Sequence, residues 1–167
     1  MNVAYIYFIK TILLASVAAL CYWTVESAVT YLKPGALQCM ALNIYHEARN
    51  ESTAGKVAVA QVTLNRVHSD RFPDTVCGVV TQGIYKGGYP ARDRCQFSWY
   101  CDGLSDNPYD LRAYNKSMEI AQWLLVTQRW LPDFTDGSLF YHADYVSPKW
   151  SKVKHRTLQI DQHIFYK

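Results

Sequence analysis

The sequence carries little excess charge of either sign: 17 Lys and Arg against 14 Asp and Glu, a formal net charge of +3. So even a balance lacks the basic footprint that binding to a polyphosphate backbone needs, and nucleic acid is excluded as a partner. Glycine and proline are ordinary in number, 8 and 6, and 24 aromatics are spread along the chain, which rules out collagen-like, disordered and coiled-coil classes. The sequence has no phosphate-cradling glycine loop, no G-x-S-x-G elbow, no internal repeat and no low-complexity tract. It also has no C-x-x-C or H-x-x-x-H spacing to organise zinc ligands, so neither metal nor cofactor is expected. His46-Glu47 begins like H-E-x-x-H, but Asn50 stands where the second His is required.

What the chain does have is an uneven apolar load. Half of its 167 residues are apolar, enough for one domain with a sizeable core. Val3 to Val25 contains a single charge, Lys10, and Thr11 to Val25 is a run of 15 apolar or small residues. A bilayer-spanning helix needs about 20 such residues, so the run is short for a span. It reads as an N-terminal signal-anchor over residues 1–33, with a cleaved secretory signal as the competing reading. Lys10 and the free amino terminus favour an N-inside orientation, which sends residues 34–167 out of the cytoplasm, tethered to the inner membrane or released into the periplasm. Cysteine usage agrees, because Cys39, Cys77, Cys95 and Cys101 are an even set that can close two disulfides in an oxidising compartment. Cys95 and Cys101 would clamp the short loop between them. Cys39 with Cys77 is then the remaining pair, one of three connectivities.

After Pro34-Gly35, the spacing of Leu37, Met40, Ala41, Ile44, Tyr45 and Ala48 predicts a helix over Ala36 to Arg49. A second helix, Thr53 to His68, is apolar nearly all round and should be central to the fold. Thr75 to Gln82 reads as a short helical turn. Gly83 to Asn107 reads as a long functional loop with a short strand at Gln96 to Trp99. A third long helix is expected over Asp110 to Trp130. Three strands follow, at Ser138 to Ala143, Arg156 to Ile160 and His163 to Tyr166. The fold class is α+β, mainly helical, with a small antiparallel sheet at the end.

Chemistry concentrates first at Tyr45-His46-Glu47-Ala48-Arg49-Asn50-Glu51. At about 100° per residue, Glu47 falls on the flank of the stripe made by Met40, Ile44 and Ala48 and should be half-buried. A carboxyl group against apolar surface has its pKa raised, which lets it donate a proton near neutrality. The competing reading is a surface carboxylate paired to Arg49 or a neighbour. Cys95-Gln96-Phe97-Ser98-Trp99-Tyr100-Cys101 sets polar side chains among aromatics, a composition that suits the apolar faces and hydroxyl rims of sugars, or else a core plug under the loop. Phe140-Tyr141-His142-Ala143 adds a further aromatic and a proton carrier. Cys95 or Cys39 with His142 could form a cysteine-peptidase pair, which disulfide formation would disable.

Together these segments resemble the SleB-type cell wall hydrolases, the spore-cortex-lytic family. The resemblance runs through Ala41 to Glu51, Gly55 to Val67, Phe72 to Val80, Cys95 to Trp99, Tyr141 to Ala143, Pro148 to Trp150 and Ile160 to Tyr166, spanning roughly Gln38 to Lys167. It implies a lysozyme-like scaffold over residues 34–167, and peptidoglycan as substrate, cleaved between N-acetylmuramic acid and N-acetylglucosamine by a lytic transglycosylase. The glutamate of the family's E-A-R motif matches Glu47, which would then be the catalytic acid and base. Gln96, Phe97, Ser98, Tyr141 and His142 are the expected cleft lining. A hydrolytic muramidase would need a second carboxylate, for which Glu51, Asp93 and Asp102 are candidates. Asn50 and Asp161 stand where the family commonly has Gly, and both are expected to tolerate a positive φ. A monomer is expected, touching the membrane through residues 1–33. The small single domain looks like a phage endolysin with a signal-anchor or a periplasmic wall-remodelling enzyme.

Overall fold

The computed structural model describes residue 12, residues 14–18 and residues 34–167. The expected signal-anchor therefore lies almost wholly outside the described residues. Among the described residues, no helix is long and apolar enough to cross a membrane.

Helix α1 (Pro34–Ala48) opens on a proline, whose fixed φ suits the first helical turn. It turns Met40, Ala41, Ile44, Tyr45 and Ala48 inward, each essentially fully buried. Helix α2 (Thr53–Val67) is capped by Ser52, whose hydroxyl accepts the Gly55 N–H at 3.2 Å, and every residue from Gly55 to Leu64 is buried. That all-round burial makes α2 the axle of the fold. One side of it packs with α1, the short helix α3 (Val76–Val80) and the long helix α4 (Leu111–Thr127) around Leu64, Val79, Ile120 and Leu124. The other side packs Ala58 and Val62 against Phe165 of the sheet, where full burial of the phenyl ring contributes about 2–3 kcal/mol. The fully buried Asn43 amide is paired at both ends: it accepts from Trp99 Nε1 at 3.2 Å and donates to Thr63 Oγ1 at 3.1 Å.

The sheet has three antiparallel strands, β3 (Phe140–Ala143), β4 (Arg156–Ile160) and β5 (His163–Tyr166), in the order β3-β5-β4. Tyr141 pairs with Phe165 and Ala143 with His163, so Tyr141, His163 and Phe165 share the face turned toward the helices. The mixed helical and antiparallel architecture matches expectation, with one correction. Residues 83–95 are not loop but a hairpin of β1 (Gly83–Lys86) and β2 (Tyr89–Cys95), while Gln96 to Trp99 is not a strand. Gly87 and Gly88 both take positive φ (58° and 84°), the geometry that turns a tight hairpin without splaying its strands. A 3-10 helix, Ser98–Cys101, follows, because Phe97 and Trp99 both dive into the core.

Both disulfides are present. Cys39–Cys77 joins α1 to α3, and Cys95–Cys101 closes the 3-10 helix onto the end of β2. None of these four thiols is free to act as a nucleophile, so the cysteine-peptidase reading loses Cys39 and Cys95.

Candidate active site

Glu47 lies in the last turn of α1, half-buried, at the wall of a cleft of about 170 Å³. The cleft is bounded on one side by the end of α1 and the turn after it, including His46, Arg49 and Glu51, and on the other by Ala143, Gln162 and His163. Tyr141, inward-facing on β3, donates its hydroxyl to Glu47 Oε2 at 2.9 Å. Burial raises the Glu47 pKa, and the Tyr141 hydrogen bond and the Arg66 charge oppose that rise without cancelling it. Burial, together with the adjacent Glu47 charge, pushes the Tyr141 phenol well above its ordinary range, so it remains a donor. Arg66 reaches this region from α2, its Nε donating to Leu139 O at 2.8 Å and its guanidinium lying over the Phe72 and Phe97 rings at 5.2 and 5.1 Å.

The remaining walls are held by contacts of their own. His46 stacks on Trp99 at 4.5 Å between ring centres, and its Nε2 lies 3.1 Å from Asp106 O. Arg49 sits over the rings of Tyr45 and Tyr109 at 5.4 and 5.1 Å, not against Glu47. Glu51 Oε2 accepts the Gln162 N–H at 3.3 Å. Asp161 accepts from both the backbone N–H and the hydroxyl of Ser52, at 2.9 and 2.6 Å, and those bonds hold its carboxyl below the usual range. Its φ is 49°, as expected of a residue replacing Gly, whereas Asn50 does not take a positive φ. Gly55 makes the Asp161 contact sterically feasible, since a Cβ there would meet Asp161 Oδ2 at 2.5 Å.

Of the expected lining, the structure brings Tyr141 to Glu47 and leaves the others elsewhere. Phe97 is 3% exposed and packs in the core beneath Arg66. Gln96 and Ser98 are exposed at the foot of the hairpin and do not line this cleft. His142 follows Tyr141 on the strand and so points to the opposite face, where it stacks on Tyr166 at 5.2 Å with its Nε2 3.0 Å from the Tyr166 hydroxyl. Of the second-carboxylate candidates, Glu51 lines the cleft, while Asp93 pairs with Arg92 on the hairpin and Asp102 accepts the Leu104 N–H. Gln162 and His163 fall within the Ile160 to Tyr166 match but are not among the expected lining; alternation along the strand, which puts His163 on the same face as the apolar Phe165, is the signal that points to the first.

A model of the Cell Wall Hydrolase family matches residues 50–166. This chain belongs to that family, in its SleB branch. The spore cortex-lytic enzyme of Halalkalibacterium halodurans is 54% identical over 130 residues, covering 77% of this chain and 34% of the relative. The spore cortex-lytic enzyme of Bacillus subtilis is 40% identical over 147 residues, covering 84% of this chain and 42% of the relative. This cell wall hydrolase spans less than half the length of these curated relatives. Among solved structures, the catalytic domain of SleB from Bacillus cereus superposes with a TM-score of 0.53 at 32% identity, covering 78% of this chain and 88% of that one. The catalytic domain of the germination-specific lytic transglycosylase SleB from Bacillus anthracis gives a TM-score of 0.55 at 32% identity, covering 78% of this chain and 93% of that one.

Proposed function

We propose that this cell wall hydrolase cleaves the peptidoglycan glycan strand between N-acetylmuramic acid and N-acetylglucosamine as a lytic transglycosylase, with Glu47 as its single acid and base. The observation that carries the reading is the half-buried Glu47 carboxyl in a cleft, its pKa raised by burial and its orientation fixed by the Tyr141 hydroxyl at 2.9 Å. Protonated Glu47 gives its proton to the glycosidic oxygen as the bond from muramic C1 breaks. The resulting carboxylate then takes the proton of the muramic C6 hydroxyl, whose oxygen closes on C1 to leave a 1,6-anhydro end. The substrate supplies its own nucleophile, so one carboxyl group suffices. The relative from Bacillus anthracis, named a lytic transglycosylase, supports the same assignment.

One observation favours hydrolysis instead: Glu51 lines the same cleft and could activate water. Its engagement with the Gln162 N–H argues against that role. Digestion of purified sacculi, followed by mass spectrometry, separates the two. Anhydro-muropeptides are expected; reducing muramic ends would establish hydrolysis, and free stem peptides would overturn both. On this reading residues 34–167 are the catalytic domain and work outside the cytoplasm behind a signal-anchor at 1–33, and the two disulfides support an oxidising compartment.

Tyr141→Phe tests the support of the acid. The Tyr141 hydrogen bond favours the charged carboxylate, so its loss should raise the Glu47 pKa further and move the alkaline limb of the rate profile to higher pH. Turnover at the optimum should fall about tenfold to a hundredfold, because the carboxyl group loses the donor that fixes its rotamer. Steady-state rates across the pH range check both.

A further inference from the structure

His163 opens β5 with its side chain on the helix-facing side of the sheet, in the same cleft as Glu47. It is only 7% exposed, its Nδ1 is fully buried, and neither ring nitrogen has a hydrogen-bond partner among the described residues. Buried polar atoms in folded proteins are nearly always paired with protein or ordered water; Arg66, Gln82 and Gln128 carry unpaired buried atoms too, but His163 is the one of the four that lines the Glu47 cleft, where a ligand could take water's place. His142, on the neighbouring strand, shows the ordinary condition: its Nδ1 lies 2.9 Å from Ala143 O and its Nε2 3.0 Å from the Tyr166 hydroxyl. The His163 ring meets Tyr141 edge-on at 5.1 Å, and the Tyr141 hydroxyl is bonded to Glu47, so imidazole and acid share one wall of a cleft lined mostly by polar atoms.

We propose that His163 is a glycan-contacting residue of the Glu47 cleft, its imidazole hydrogen-bonding a hydroxyl or acetamido group of the sugar beside the scissile bond. The inference rests on the reading of Glu47 as a glycan-cleaving acid.

The charge state fits the task. Burial pushes the imidazole below its ordinary value, against the pull of Glu51, Asp161 and Asp144 and with the help of His142. Glu47 and Tyr141 also face it, and His46, Arg49 and Tyr145 line the same cleft. The ring is therefore neutral at pH 7, and with Nδ1 buried it is Nε2 that is left to meet a sugar, as a bare acceptor for a hydroxyl or acetamido N–H when the proton sits on Nδ1. Protonation removes the acceptor. Glycan contact should then weaken as pH falls through the His163 pKa, whereas Glu47 must be protonated to act. The working form pairs neutral His163 with protonated Glu47, so protonation of the one and ionisation of the other each lower the rate.

The test uses the full chain. In the Glu47→Gln protein, which should hold glycan without cutting it, binding of purified glycan strands is measured with and without His163→Phe, a change that keeps a ring against Tyr141 and removes both nitrogens. Binding about tenfold weaker is expected, with the melting temperature held. Equal binding by a folded double variant overturns the proposal. If His163→Phe fails to fold, the ¹⁵N shifts of the His163 imidazole in Glu47→Gln are followed as glycan is added; a shift supports the contact, and unmoved signals at saturating glycan overturn it. In the otherwise unaltered chain, His163→Phe should flatten the acidic limb of kcat/KM and leave the alkaline limb, and an unchanged acidic limb counts against His163. Turnover surviving in Glu47→Gln would overturn the role of Glu47 alone and leave the binding comparison standing.

Discussion

Glu47→Gln should lower the release of soluble muropeptides by about a thousandfold or more while making the folded domain more stable at neutral pH. General acid–base catalysis contributes about 10²–10⁴ in rate, and here one group is asked to serve in both directions. The amide keeps the volume of the carboxyl group and can still meet the Tyr141 hydroxyl, so the fold has no reason to change. The stability gain follows from linkage. Folding raises the Glu47 pKa, so its contribution is fully present below the unfolded carboxylate value and is lost as pH rises through the folded value. A glutamine has no such loss. Melting temperatures of the two proteins should converge in acid, separate as pH rises from the unfolded carboxylate value through the folded one, and stay apart above it, with the variant the higher; coincident curves at every pH would mean that Glu47 is not held in a desolvated site. An enzyme that is less stable for carrying its acid has the signature of a residue kept for chemistry.

Cys39→Ser or Cys77→Ser should cost about 4 kcal/mol of stability, the loop-closure value for a bridge between residues 38 positions apart. Cys95→Ser or Cys101→Ser, closing a separation of 6, should cost about 2 kcal/mol. Urea denaturation of oxidised and variant proteins reads both directly. Turnover per folded molecule should survive each change, because the Cys39–Cys77 bridge ties α1 to α3 and Cys95–Cys101 ties the hairpin to the 3-10 helix, whereas Glu47 is walled by Tyr141 and β5. Loss of activity in a Cys95 variant that remains folded would revive the cysteine nucleophile.

The helices were legible because their signals are local. Ser52 and Asp110 announce helix starts, and the buried face of α1 repeats at helical spacing within one segment. The hairpin had a local signal too, Gly87-Gly88, but the density of Gly, Arg and Asp around it read as loop. Glu47 was placed correctly at the edge of the apolar stripe, since its burial follows from the geometry of its own helix. The partners of Glu47 were harder, because they depend on contacts across the chain. Phe97 could be a sugar platform or a core plug on sequence alone, and the position of Arg66 and the packing of α2 decide for the core. Alternation along β3 separates Tyr141 from His142, but which of them faces α1 depends on how the sheet docks. Asn50 and Asp161 looked equivalent as replacements for Gly; only Asp161, at a turn that caps α2 through Ser52, needs the positive φ.

The hydrogen bond between Tyr141 and Glu47 joins residues 94 positions apart, and the far wall of the cleft comes from β5, later still in the chain. Until those strands dock, Glu47 is a solvated carboxyl at the end of a helix, with an ordinary pKa and therefore ionised at neutral pH. An ionised carboxylate cannot protonate a glycosidic oxygen. On the proposed reading, the capacity to cut therefore depends on the docking of those strands, and a form in which they are undocked would meet a cell wall without cutting it.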